Sequence, residues 1–374
     1  MNKFFVRSLS EPYRLFFPFA IFALLYGILL WIPQIWSPDN YPVLVHRYLM
    51  LNGFVSLLIA GFLMTAVPRF SKTFEAQKFE IISFFLVTFA GLIMAYQDEE
   101  AWVFVLSSLQ SLIILIFMFR RISHRKENPP YSFVFIFVGL FLWLISGLGS
   151  FFYGTDAFKQ LHYEGSITAI ILGVGSRLIP GILGHIEIVK AQREKYEKPG
   201  SIFKTVPYHF YLSIALFVGS YFLLDSYGSI VRAVVVGTIA FSYWKLHTLP
   251  KDRTALTWNI WLAGYLIVLS FVLKALWADG TIHASHSLFI SGIVLIGLLV
   301  ATRVIQSHGP NDKALENWRG LYLVTGLLAF AAATRVTAFL MPDGYLRHLG
   351  YSSFVLTVAV LLWSFKYLRF IKRF

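Results

Sequence analysis

Ten histidines are the residues with the clearest capacity for chemistry. The chain has no cysteine, which excludes disulfides, thiolate-ligated haem and covalently attached haem. Any metal must therefore be held by His, Met, Tyr or carboxylates. His46, His162, His283, His286 and His348 each fall at the start of a long apolar stretch. Neutral imidazole is a good ligand for iron or copper. Two imidazoles on facing helices, at one height, are what a b-type haem needs. The other reading of a single such histidine is an interfacial residue bonded to backbone.

The elements that would position these residues are membrane spans. Of 374 residues, 57% are hydrophobic and 14% charged, about half the charge of a soluble domain. A span needs roughly 20 apolar residues. The pattern predicts spans at 15–36, 47–67, 79–95, 101–119, 132–153, 163–183, 208–225, 229–247, 255–277, 283–302, 319–340 and 348–366. The expected fold is all-α and polytopic, about twelve helices in one integral membrane domain over residues 1–374, with no separate soluble domain.

Net charge is +13, but hydropathy argues against a nucleic-acid partner. In a membrane protein excess Lys and Arg report orientation first. With the N-terminus inside, most of the 32 Lys and Arg fall on the cytoplasmic side, including the runs near Arg120, Arg193, Arg253 and the C-terminal tail. Both termini are expected in the cytoplasm of a bacterial inner membrane. The five span-opening histidines then share the outer side.

His46, His162 and His283 open spans 2, 6 and 10, each four helices from the next. A glycine follows each (Gly53, Gly165, Gly292), and then a basic residue near the inner end (Arg69, Arg177, Arg303). This spacing suggests a threefold pseudo-repeat of four helices; common membrane glycines and interfacial histidines would also produce it. Arg47, Arg232, Lys274, Arg335 and Arg347 lie on the outer half, the unfavoured side for cations. Carboxylates of a bound haem need such partners. Snorkelling to the interface is the alternative.

Two stretches carry a family resemblance: HRYLMLNGFVSLLIAGFLMTAVPRF from His46 and HSLFISGIVLIGLLVATRVIQSHG from His286, with EPYRLFFPFAIF before the first span. Together they resemble the NnrS family of bacterial membrane proteins, across essentially the whole chain. The resemblance implies haem, with copper as a further metal, and a role in handling nitric oxide or nitrosative stress. By position it implies His46 and His286 as axial ligands, with Met50 and Gly53 in the early motif and Arg303 and His308 in the late one. Arg47, Arg335 and Arg347 are the expected partners of the haem carboxylates. His162, His283 and His348 are the further metal-ligand candidates. The chain departs from the family pattern at Tyr48 and Leu49, where a histidine and a glutamate are expected, and at Ser307–Asn311. Those departures weaken the case for copper.

The chain also bears a distant likeness to subunit I of the haem–copper oxidases, through His46, His286 and His162-Tyr163-Glu164. The second span 10 histidine of that pattern is Ala284 here, and no histidine pair follows span 7, so a complete oxygen-reducing centre is not expected. The competing functions are a membrane transporter and a haem or copper assembly factor. Whether the chain is an oxidoreductase acting on nitric oxide, and what its electron donor is, the residues leave open. Besides a small gas such as nitric oxide, the bilayer is the expected partner.

Overall fold

A computed structural model describes residues 3–37, 42–197, 201, 206–277, 280–308 and 313–371. Side chains are described for most of these. The end of the late motif, at Gly309–Asn311, and residues 372–374 of the basic tail lie outside them.

Among the described residues every regular element is helical. Ten helices among the described residues are long and apolar enough to cross a membrane. They are α1 (Tyr13–Ile35), α2 (Val43–Ser71), α3 (Lys78–Tyr96), α4 (Glu100–Ser123), α5 (Phe133–Tyr153), α6 (Asp156–Ile182), α9 (Ala255–Leu276), α10 (Thr281–His308), α11 (Ala314–Leu340) and α12 (Pro342–Ile371). Between α6 and α9 the described residues include, besides the polar helix Ile186–Tyr196, two shorter apolar helices, α7 (Tyr208–Gly219) and α8 (Asp225–Ser242). The apolar side chains face outward as well as inward. On α3, Phe79, Ile82, Leu86, Phe89 and Ile93 recur at helical spacing and are all exposed. A water-facing helix would place polar residues there. This is the surface of an integral membrane protein.

The predicted spans at 208–225 and 229–247 are the least well matched. The first ends at Gly219, where a single 3-10 turn over Ser220–Phe222 takes over. The second stops at Ser242, and Lys245 adopts a left-handed φ of 60° that an α-helix cannot continue through. Spans 2, 6 and 10 are longer than predicted, so their histidines lie up to two turns inside the helix rather than at its first residue.

These same three helices share a feature that hydropathy does not reveal. Each contains a π-helical segment: Leu49–Val55 in α2, Leu161–Gly165 in α6 and Leu288–Val294 in α10. Such segments are rare and gather at functional sites. Here each overlaps or immediately follows the histidine of its helix.

The helices form two compact units. One comprises Met1–Phe16 and Ile59–Lys245, the other Phe17–Leu58 and Leu246–Phe374. In the first, α5 and α6 are drawn together at two reciprocal glycines. A Cβ on Gly139 would stand 2.7 Å from the Ser166 carbonyl oxygen, and one on Gly173 would stand 2.9 Å from that of Ser132. Small residues permit this backbone approach where lipid offers no hydrophobic drive between helices. Two buried carboxylates tie this unit further. Glu80 takes Arg121 through both carboxylate oxygens, at 2.5 and 2.7 Å, and Arg120 at 2.8 Å. Glu11 takes Arg14 at 2.6 Å and Arg69 at 3.1 Å, while the Tyr13 amide donates to Thr65 Oγ1. The opening EPYR and the end of the early motif thereby meet.

In the second unit, α9 and α11 pack against the π-segment of α10, and α12 packs along α11 and the end of α1. The Ser270 and Ser287 hydroxyls are 2.9 Å apart between α9 and α10.

Candidate functional site

His46 and His286 both belong to the second unit, on α2 and α10. Gly27 on α1 brings that helix against Leu49 and Met50: a Cβ there would lie 3.0 Å from Leu49 Cβ and 3.2 Å from Met50 Sδ. This closeness lets the Gly27 carbonyl reach His46 Nδ1 at 2.8 Å. Trp31 stands edge-on to the same ring at 5.4 Å. On α10, His286 Nδ1 lies 2.7 Å from the Ile282 carbonyl, one turn back, with Phe289 edge-on. A carbonyl only accepts, so both Nδ1 atoms carry the proton. Each neutral ring is left with its lone pair on Nε2, the arrangement that orients and strengthens a metal-binding histidine. Both rings are half-buried and keep part of their surface open. His286 lies within electrostatic range of His46, His283 and Arg335.

Arg335, on α11, is buried, and its Nη1 is 3.1 Å from His283 Nδ1. Arg47 and Met50 are half-buried on α2, whereas Arg347 is exposed on α12. His348 follows Arg347, with Nε2 3.1 Å from Met341 Sδ. Lys274 is buried on α9.

His162 stands in the first unit and in different company. Its Nε2 is 2.9 Å from Ser107 Oγ, and its Nδ1 is 3.2 Å from the Trp143 carbonyl and 3.3 Å from Ser146 Oγ. Trp143 Nε1 donates to the same Ser107 hydroxyl at 2.7 Å. The consistent assignment is a ring of bonds. Trp143 N–H donates to Ser107, the Ser107 hydroxyl donates to His162 Nε2, and His162 Nδ1–H donates back to the Trp143 carbonyl. Both nitrogens of this buried imidazole are engaged, so neither is presented to an ion.

Arg232 also differs from the expected outer basic cluster. It is buried in the first unit with Glu164, Nε to Oε1 3.9 Å, and donates to the Ser220 carbonyl and Ser229 Oγ. Its guanidinium lies 4.4 Å from the Tyr221 ring centroid, and the Tyr221 hydroxyl donates to Glu164. Arg177, near the inner end of α6, pairs with Glu197 at 3.1 Å. In that pair burial pushes the Glu197 carboxyl above the usual carboxylate range, against the pull of Arg177.

Sequence reasoning missed the supports: Gly27 and Trp31 for His46, Ser107 and Trp143 for His162, Glu164 for Arg232. Only the last left a trace, an acidic residue two positions after a span histidine.

His46 and His286, each with its lone pair left on Nε2 and with the buried Arg335 in electrostatic range, are residues that could hold a haem. Copper fits less well. Among the described residues no three His, Asp or Glu side chains stand together as a group that could hold a metal ion. His46, His162, His283, His286 and His348 therefore do not form one multi-ligand centre.

An all-helical membrane protein with oriented histidines beside π-segments is the class that fold and site define. The NnrS family model, described as NnrS protein, matches residues 7–373, and the chain belongs to that family. No curated protein matches the chain.

Proposed function

We propose that this chain is a haem-binding membrane protein that handles nitric oxide, with His46 and His286 as the residues that would hold the haem. The observation that carries this reading is the matched pair of Nδ1–carbonyl bonds, which presents both Nε2 atoms as ligands. Arg335, with Arg47 on α2, would meet the carboxylates of the macrocycle. Haem would supply either one-electron transfer or a site for a diatomic gas. His46 and His286 hold and orient it, and the surrounding apolar helices exclude water. Transport is less favoured. The buried carboxylates Glu80 and Glu164 are tied to arginines rather than arranged along a path.

The same reading covers the architecture. A π-segment beside a histidine in α2, α6 and α10 supports a threefold pseudo-repeat of four helices, with α7 and α8 as shortened members of twelve spans. Both termini lie in the cytoplasm and the histidine ends of these helices face outward from a bacterial inner membrane. A reporter fused after residue 374 should be active only in a cytoplasmic format; activity in a periplasmic format reverses the topology. Protein purified after expression with ample haem should show a Soret band, and colourless protein overturns the haem reading.

A further inference from the structure

The role of His283 follows from one bond. Arg335 Nη1 lies 3.1 Å from His283 Nδ1. A guanidinium has five N–H donors and no acceptor, so the imidazole nitrogen must accept. His283 is thereby neutral, with its proton on Nε2 and its Nδ1 lone pair committed to Arg335. The ring is fixed from three sides. Trp277 stacks on it at 5.9 Å and 16°, Phe339 lies at 5.3 Å, and Tyr345 stands edge-on at 6.1 Å. Phe339 and Trp277 touch each other at 4.5 Å. Arg335 itself sits 5.7 Å from the Tyr345 ring. A long, flexible side chain is thus held by a stationary acceptor and an aromatic face.

Resting on the haem reading above, we propose that His283 is a positioning residue rather than a metal ligand. It fixes the plane of the Arg335 guanidinium so that this cation receives a carboxylate of the macrocycle seated at His46 and His286. The carboxylate is the chemistry recognised, because Arg335 is buried and lies within electrostatic range of both candidate ligands. A bidentate carboxylate partner rewards a guanidinium whose plane is already set.

The test titrates apoprotein with haemin and with haemin dimethyl ester, which lacks the charged carboxylates. Wild type should bind the free acid at least about ten-fold more tightly than the ester, a difference of about 1.4 kcal/mol. Arg335→Gln should erase that preference by weakening the free acid alone. His283→Phe, which fills the aromatic setting without an acceptor, should lose most of the preference. His283→Gln, whose amide oxygen accepts from Arg335, should retain it. The Soret position should stay unchanged in both His283 variants. Full discrimination by His283→Phe overturns the positioning role. A shifted or lost Soret band in folded His283→Gln means that His283 ligates iron, which also overturns it. Equal binding of acid and ester by wild type removes the carboxylate role while leaving the axial pair intact. Failure of wild type to bind either compound removes the haem reading and this inference with it.

Discussion

His162 and the pair His46 and His286 stand beside the same local device and meet opposite surroundings. Each adjoins a π-segment on a long apolar helix. Around His162 the neighbouring helices bring two serines and a tryptophan, and the ring's hydrogen-bonding capacity is used up inside the fold. Around His46 and His286 the anchor is a backbone carbonyl at Nδ1. The helix brings a histidine into the interior; the neighbours decide whether it becomes a ligand or a strut. Position in a span is thus a weaker guide to chemistry than the inventory of donors and acceptors within reach.

The largest expected effect separates the two classes directly. His46→Ala or His286→Ala should abolish or convert the haem spectrum, whereas His162→Gln should keep it. Loss of the Soret band from His162→Gln in protein of wild-type fold would break the comparison.

A smaller effect concerns stability in the first unit. Glu164→Ala leaves Arg232 buried without its carboxylate, and removing one partner of such a pair costs about 3–5 kcal/mol. Denaturant unfolding in detergent should show that loss, and Glu164→Leu with Arg232→Met should recover most of it. An unfolding midpoint unchanged in Glu164→Ala would mean that the pair contributes nothing.

Smallest is Ser107→Ala. It leaves the Trp143 N–H and His162 Nε2 without their shared hydroxyl, at about 1–3 kcal/mol. The haem spectrum should not move. A spectral change here would place His162 in the haem environment after all.

Much of the fold is legible in the sequence because hydropathy acts locally. An apolar run between Gln77 and Gln97 has few fates other than a membrane helix. The family follows from the runs at His46 and His286. The shortening of α7 and α8 is less accessible, since it depends on a 3-10 turn at Ser220 and a left-handed backbone at Lys245 inside sequence that still reads as apolar. The candidate ligands His46 and His286 can be named from their motifs, but the tautomer of His46 cannot, because Gly27 comes from another helix. Arg232 looks unpaired in sequence because Glu164 lies two helices away. His283 looks like a ligand because spacing does not disclose that Arg335 donates to it.

The π-segments have a consequence for how such a helix tolerates insertions and deletions. A π turn holds one residue more than an α-helix would, so a single-residue deletion within Leu49–Val55 would restore regular α-helix there. Each α-helical residue accounts for about 100° of rotation. The wide turn already absorbs the extra residue, so the shortened helix would keep its apolarity and leave the residues before and after the segment on nearly their present faces. His46 would keep the side of the helix on which Gly27 anchors it. For these three helices, then, loss of one residue is milder inside the π-segment than in the regular helix beside it, where about 100° per residue would re-aim the histidine.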